Sequence, residues 1–310
     1  MGVQQYRRPR APSVSVCLLA LALCAPASAQ DRPPDSGVLR VLTYNVAGLP
    51  EGISRSRPTV NIPRIGPRFD AYDIVLVQED FAFQDELRAG VGLPHCSTDA
   101  VSSERDRPAD GLNRFSRVPF AEHERRAWTS CNGLLSEGCD CLAPKGFSVA
   151  THEIAPGRYL DVYNLHMDAG GTARDRAARD DQVEQLLAAL RERSAGRAVI
   201  VAGDTNFRRG DERLARRLLR EGGLVDACQA LGCGADRVDR VLVRSSPTIV
   251  LEPRRYRMAH EFVDDAGRPL SDHLAVDVEI AWRVLAPPAP RLRASPVAAR
   301  HRPPAARQSP

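Results

Sequence analysis

The chain has 310 residues, enough for one large domain or two small ones, and its 43% apolar content is enough for a core. Its formal charge of +4 is terminal: three arginines stand in the first 29 residues and five beyond residue 284, so the stretch between carries about −4. That body is not a polycation built for nucleic-acid phosphates.

Arg7, Arg8 and Arg10 precede an apolar run from Val14 to Ala25, followed by Ala27-Ser28-Ala29. This is the pattern of a secretory signal, too short to span a membrane, with cleavage expected after Ala29. Leu23 before Cys24 argues against a lipoprotein anchor. The expectation is a secreted or periplasmic protein whose residues 30–284 form one domain. Residues 285–310, mostly Pro, Ala and Arg, lack periodicity and are expected to be disordered. Six cysteines remain after cleavage, an even number that suggests disulfides and no free thiol in an exported chain. Cys228 and Cys233 are close enough to clip one loop, and Cys131 is expected to pair with Cys139 or Cys141. A zinc site at Cys139-x-Cys141 is the rival reading, less favoured in an oxidising compartment.

Val38 to Val46 reads as a strand with Asn45 near its end. Gly48 to Phe69, rich in Pro, Gly and Arg, reads as a long loop. Ile74-Val75-Leu76-Val77 is a buried strand followed at once by Gln78-Glu79-Asp80. Strands are expected over Leu112–Val118, from Lys145 to Val149 and beyond, and over Tyr159–His166. Asp175 to Arg193 is a helix, because Val183, Leu186, Leu187 and Leu190 recur at helical spacing. Val199-Ile200-Val201-Ala202 is a buried strand that stops on Gly203-Asp204-Thr205-Asn206. In extended chain, Asp204 and Asn206 share a face, although Asp-x-Asn also makes ordinary Asx turns. Asp211–Glu221 is a second helix with Leu214, Leu218 and Leu219 inward. Strands over Val238–Val243 and Leu274–Ile280 complete the body. Strands outnumber helices and are punctuated by them, which points to packed sheets with helices outside.

Five strand ends thus present Asn45, Glu79, His166, Asp204 with Asn206, and Asp272-His273, while Asp239 lies on a sixth strand. Carboxylate, amide and imidazole groups at the tips of apolar runs suit a hard cation. Mg²⁺ prefers oxygen ligands and takes one or two carboxylates from protein, a role that fits Glu79 with Asn45 assisting. Neither a Gly-x-Ser-x-Gly elbow nor a phosphate-binding Gly-x-x-x-x-Gly-Lys loop is present.

Taken in order, Thr43-Tyr44-Asn45-Val46, Gln78-Glu79, Gly203-Asp204-Thr205-Asn206, Asp239-Arg240-Val241 and Ser271-Asp272-His273 resemble the motifs of the endonuclease/exonuclease/phosphatase superfamily, the DNase I-like fold. The resemblance spans about Leu39 to Ile280. It implies an α/β fold, a four-layer α/β/β/α sandwich of two central sheets with outer helices. It also implies hydrolysis of a phosphodiester by metal-assisted attack of water. Mg²⁺, or Mn²⁺ or another divalent cation, would sit on Glu79 and Asn45, with Asp272 as a further contact. His273 would be the general base, held by Asp239. Asp204 would orient the water, and Asn206 would bond the phosphate. His166 would contact the phosphate or protonate the leaving oxygen, and Lys145 would be a further phosphate contact.

Arg114-Phe115-Ser116-Arg117-Val118-Pro119, the run from Cys131-Asn132-Gly133 to Lys145-Gly146-Phe147, and His166 followed by Arg179 and Gln182 look like the secreted neutral sphingomyelinase branch. Bacterial members of that branch carry an aromatic, apolar hairpin late in the chain. The corresponding stretch here, Arg244 to Phe262, is short and Arg-rich, with Tyr256 its main exposed aromatic candidate. The expected substrate is a phospholipid head group met in transient contact with a membrane surface. The alternatives are a nuclease and a non-catalytic binding module on the same fold. A monomer is expected.

Overall fold

The computed structural model describes residues 35–54, 56–98, 109–133, 141–233 and 237–285. The expected leader, nearly all of the expected tail and Cys139 lie outside the described residues. The strands fall into two six-stranded sheets. The first contains β1 (Ser36–Asn45), β2 (Ile74–Gln78), β3 (His95–Cys96), β4 (Asn113–Ser116), β11 (Ile249–Met258) and β12 (Val276–Val284) in the order β11-β12-β1-β2-β4-β3. The second contains β5 (Phe120–Ala127), β6 (Gly146–Ala155), β7 (Arg158–His166), β8 (Ala198–Asp204), β9 (Val225–Asp226) and β10 (Asp239–Arg244) in the order β5-β6-β7-β8-β10-β9.

Three apolar clusters define four layers. Leu39, Val41, Ile74 and Leu76 from the first sheet meet Leu160, Val162, Ile200 and Val241 from the second. Helices α3 (Ala173–Glu192) and α4 (Glu212–Gly222) cover the outer face of the second sheet, with Val183, Leu186, Leu187 and Leu190 against Tyr163, Leu165, Val199 and Val201. Helices α1 (Pro58–Ile65) and α2 (Gln84–Ala89), with a 3₁₀ turn at Gly66–Ala71, cover the outer face of the first. This is the expected α/β/β/α sandwich. A short fifth helix, α5 (Ala227–Ala230), follows β9.

Two elements differ from the sequence reading. The Pro-rich stretch after Gly48 folds into α1 and the 3₁₀ turn. Pro58 occupies the first helical positions, where its missing N–H costs nothing, and Ile62, Ile65 and Phe69 are fully buried. The Arg-rich late stretch, to which the sequence reading gave no element, contains the ten-residue β11. Arg257 and Arg255 lie opposite Asp277 and Glu279 on β12 and pair with them at 2.7 and 2.6 Å, so its charges are cross-strand partners. Tyr256, the expected exposed aromatic, is half-buried against the inter-sheet core, and burial pushes its phenol up to about 12.

Cys228–Cys233 and Cys131–Cys141 are bonded, which settles the second pairing in favour of Cys141. Cys96 is a free, exposed thiol, against the expectation of none. Its Cα partner across the ladder is Phe115, not a cysteine.

Each sheet holds one parallel pair, β1–β2 and β7–β8, closed by a helical crossover. The pairs pack back to back, and a buried polar seam locks them. Asn164 Nδ2 donates to the carbonyls of Val77 (2.9 Å) and Asn113 (3.0 Å), while its Oδ1 accepts from Gln78 Nε2 at 2.7 Å. Asn164 and Gln78 are completely buried, so every one of these bonds replaces water that cannot enter. The seam fixes the carboxyl ends of β1, β2, β7 and β8 at one level. Asn164→Ala strands several buried groups at roughly 1–3 kcal/mol each. Urea unfolding is expected to show a loss of about 3 kcal/mol, and a loss under 1 kcal/mol would remove the seam from this role.

Candidate active site

The carboxyl ends of the two parallel pairs converge. Asn45 closes β1, Glu79 follows β2, His166 closes β7 and Asp204 closes β8; Asp239 opens β10 directly opposite Asp204. Gly203 makes the delivery of Asp204 possible. Its φ is +142°, and a Cβ there would stand 2.0 Å from the Leu165 carbonyl oxygen of the neighbouring strand. Beyond Asp204 the chain turns sharply. The Asn206 amide donates to Asp204 Oδ1 at 2.9 Å, with Asn206 itself at φ +50°. The stretch therefore forms the Asx turn rather than running on extended to Asn206. Glu79 is likewise in the left-handed region, at φ +57°. Non-glycine residues held there carry strain of order 1–3 kcal/mol, and they cluster at functional sites.

One atom organises the site. Asp204 Oδ2 lies 3.3 Å from Asn45 Nδ2, 3.4 Å from His166 Nε2 and 3.8 Å from His273 Nε2. Asn45 Nδ2 also donates to Glu79 Oε1 at 3.0 Å, so one amide bridges two carboxylates. Asp204 is buried, and burial, with Asp239 next, raises its carboxyl to about 6. Burial also raises Glu79. Burial, helped by the charges of Lys145 and His273, holds His166 well below the ordinary histidine range, so its ring is neutral.

His273 sits in the loop before β12. Ser271 Oγ donates to the Asn45 carbonyl at 2.7 Å and accepts the His273 amide at 3.2 Å, which ties this loop to the end of β1. His273 Nδ1 and Asp239 Oδ2 are 2.8 Å apart. Burial alone would lower the ring, but the hydrogen bond and charge of Asp239, then Asp204 and Asp272, outweigh it and raise His273 to about 9.

Most of the sequence-selected residues therefore meet. Lys145 acts through its charge on Glu79, Asp204 and His166. Asn206 spends Nδ2 on the Met167 carbonyl at 3.0 Å. Asp272 is exposed, and its carboxylate meets Ser271 Oγ at 3.4 Å. Sequence reasoning missed Arg208, whose Nη2 donates to Asn206 Oδ1 at 3.4 Å, and Trp128, whose indole N–H donates to the His166 carbonyl at 2.7 Å. Neither residue carries a local pattern that could have marked it.

The donor set suits a hard divalent cation: clustered carboxylate and amide oxygens, two of the carboxyls raised by burial, and no thiolate among them. Asp204, Asp239 and His273 offer ligand atoms within 4.8 Å of one another. Since His273 and Asp239 are bonded to each other, that trio is better described as an Asp–His pair beside a carboxylate. Glu79 with Asn45 and Asp204 is the better cradle.

This two-sheet sandwich, with carboxylates, amides and a paired imidazole at the carboxyl ends of its parallel strands, defines a class. The chain belongs to the Endonuclease/Exonuclease/phosphatase family, whose model matches residues 42–273. It is 32% identical over 267 residues to a sphingomyelinase of Mycobacterium tuberculosis, covering 77% of this chain and 51% of that protein. The chain thus spans about half the length of the curated relatives it matches. The fold is shared with a Staphylococcus aureus beta toxin variant with bound magnesium ions (TM-score 0.58, 15% identity, 78% of this chain and 99% of that one). It is also shared with sphingomyelinase C from Streptomyces griseocarneus (TM-score 0.56, 21% identity, 78% and 99%).

The folded value of His273 lies above the ordinary 6.5, so its pairing with Asp239 stabilises the fold fully below pH 6.5. That contribution is lost as pH rises through about 9. In metal-free protein, NMR titration is expected to place the His273 ring near 9, and Asp239→Asn to lower it and flatten the stability loss over this window. A ring that titrates unchanged in Asp239→Asn would break the assignment.

Proposed function

We propose that the protein is an exported, divalent-metal-dependent phosphodiesterase of sphingomyelinase or phospholipase C type. The observation that carries this reading is the buried Asp204 carboxylate, facing Asn45, His166 and His273 while Glu79 is joined through the same amide. The likeness to a sphingomyelinase over 77% of the chain supports the substrate class. The disulfides fit an oxidising compartment. Among the described residues, no helix is long and apolar enough to cross a membrane.

Glu79 and Asn45, with Asp204 beside them, would hold Mg²⁺ or Mn²⁺, as the magnesium of the S. aureus neighbour suggests. When bound, such a cation polarises a phosphoryl oxygen and offsets charge that develops on it. His273 takes a proton from the attacking water through Nε2, while its Nδ1 is held by Asp239. Its value near 9 belongs to a site full of uncompensated carboxylates, and it falls when positive charge is placed among them. Asp204 orients the water. Asn206 and Lys145 contact the phosphate. His166, neutral by burial, serves better as a hydrogen-bond donor than as a proton donor.

The test is a release assay offering sphingomyelin, phosphatidylcholine and plasmid DNA side by side, with Mg²⁺ or with EDTA. Release of phosphocholine from sphingomyelin only with Mg²⁺ is expected. Cleavage of DNA alone would replace the lipid reading with a nuclease. Glu79→Gln is expected to keep its melting temperature and lose turnover.

His273→Ala and Asp239→Ala are each expected to cut kcat roughly 10²–10⁴-fold, and the double variant to be little worse than His273→Ala. Full additivity in kcat would refute a shared proton-transfer role.

A further inference from the structure

The chain leaves β8 through a turn that is pinned along its length. The Asn206 amide donates to Asp204 Oδ1 at 2.9 Å, and Thr205 bonds the Val238 carbonyl through its amide at 2.8 Å and its hydroxyl at 2.7 Å. Phe207 is buried, and the Arg208 amide donates to Asp211 Oδ2 at 3.0 Å. Asp211 is buried in turn and paired with buried Arg179 at 2.9 Å. The backbone at Arg208 is therefore fixed, while its side chain is exposed.

That side chain has little to hold it. Its guanidinium makes one bond, from Nη2 to Asn206 Oδ1 at 3.4 Å, and no carboxylate among the described residues pairs with it. The arginines beside the same turn do have acids. Arg179 holds Asp211, and Arg240, whose guanidinium lies 5.9 Å from the Phe207 ring centroid, holds Asp226 at 2.9 Å. Most of the N–H groups of Arg208 are left to solvent.

Asn206 is clamped between two partners. Its Nδ2 donates to the Met167 carbonyl at 3.0 Å, and its Oδ1 accepts from Arg208. A carbonyl only accepts and a guanidinium only donates, so the amide has one orientation. Its second N–H is what it can offer to a ligand. The strands β6, β7 and β8 are neighbours, with Lys145 just before β6 and Arg208 just after β8. Two cations thus flank the carboxyl end of β7, where His166 stands, in a site otherwise dominated by Glu79, Asp204, Asp239 and Asp272. An anionic group entering such a site needs positive charge at its rim. A guanidinium matches phosphate oxygens in both shape and charge.

We propose that Arg208 binds a non-bridging oxygen of the substrate's phosphodiester, beside Asn206, whose amide it orients toward the same group. This rests on the function proposed above and adds a substrate-contacting residue to it.

Because Arg208 is exposed, its variants are expected to keep the wild-type melting temperature. Arg208→Ala is expected to lower kcat/KM on sphingomyelin micelles roughly 10- to 100-fold, the loss of one charge-assisted hydrogen bond. Millimolar guanidinium chloride, against equal NaCl, should restore part of it. Arg208→Gln keeps an N–H for Asn206 without the charge and should stay as poor as Arg208→Ala. Wild-type turnover in Arg208→Gln would mean that Arg208 acts through Asn206 alone, and wild-type turnover in Arg208→Ala that it does not act at all; either overturns the contact. Inorganic phosphate, followed by ³¹P NMR in Mg²⁺, gives a readout that needs no turnover: Arg208→Ala should weaken its binding about 10-fold. Phosphate binding that is absent, or unchanged in Arg208→Ala, overturns the contact. Phosphate binding weakened by Arg208→Ala in a protein that cleaves no phosphodiester would sink the proposed function and leave the contact standing.

Discussion

The molecule depends on one constraint: a buried carboxylate, Asp204, must face groups delivered by both sheets. Asn45 comes from the first sheet, His166 from the second, and His273 from a loop tied back to the first by Ser271. A slip of one residue in either sheet would turn a strand's contribution to the opposite face. The inter-sheet seam through Asn164 and Gln78 holds that register where the core alone, being non-directional, would not. Gly203 belongs to the same requirement, since any side chain there would push Asp204's strand off its neighbour.

The site is kept in a state that the fold alone would not favour. Two carboxyls are raised by burial, and two residues, Glu79 and Asn206, hold left-handed backbone. The surrounding sandwich over-determines these positions, with apolar clusters on both faces of each sheet. That arrangement stores electrostatic tension which a positively charged group can relieve, and under the proposed function this relief is what couples metal loading to a working base at His273.

Much of this was legible in the sequence, for a definite reason. Runs such as Ile74–Val77 and Val199–Ala202 are buried on both faces, so they read as continuous apolar segments, and the first polar residue after each marks a strand tip. Hence Asn45, Glu79, His166 and Asp204 could be selected before their meeting was known. The helix at Pro58–Ile65 was hidden because prolines stand at its start and within it, at Pro58 and Pro63, while its buried apolar face rests on Ile62 and Ile65. The strands Phe120–Ala127 and Ile249–Met258 were hidden because their charges are satisfied by cross-strand and loop partners that only register reveals. The seam was illegible for the same reason: Asn164 is an ordinary amide until Val77 and Asn113 stand opposite it. Nor does sequence say that Asp272 stays exposed while its neighbour turns inward.

The charged outer strands have one more consequence. Each sheet of this sandwich is open, so the molecule has four edges at which unpaired amides could recruit a strand from another copy. Two of those edges are strands of only two residues, His95–Cys96 and Val225–Asp226. The other two carry register shifts beside charges, at Pro253/Arg255 in β11 and at Ala121/Glu124 in β5. Short, kinked and charged edges make poor templates for a growing ladder. The arginines and proline of β11 thus serve a second end, making that edge of the sheet a poor template for a strand from another copy.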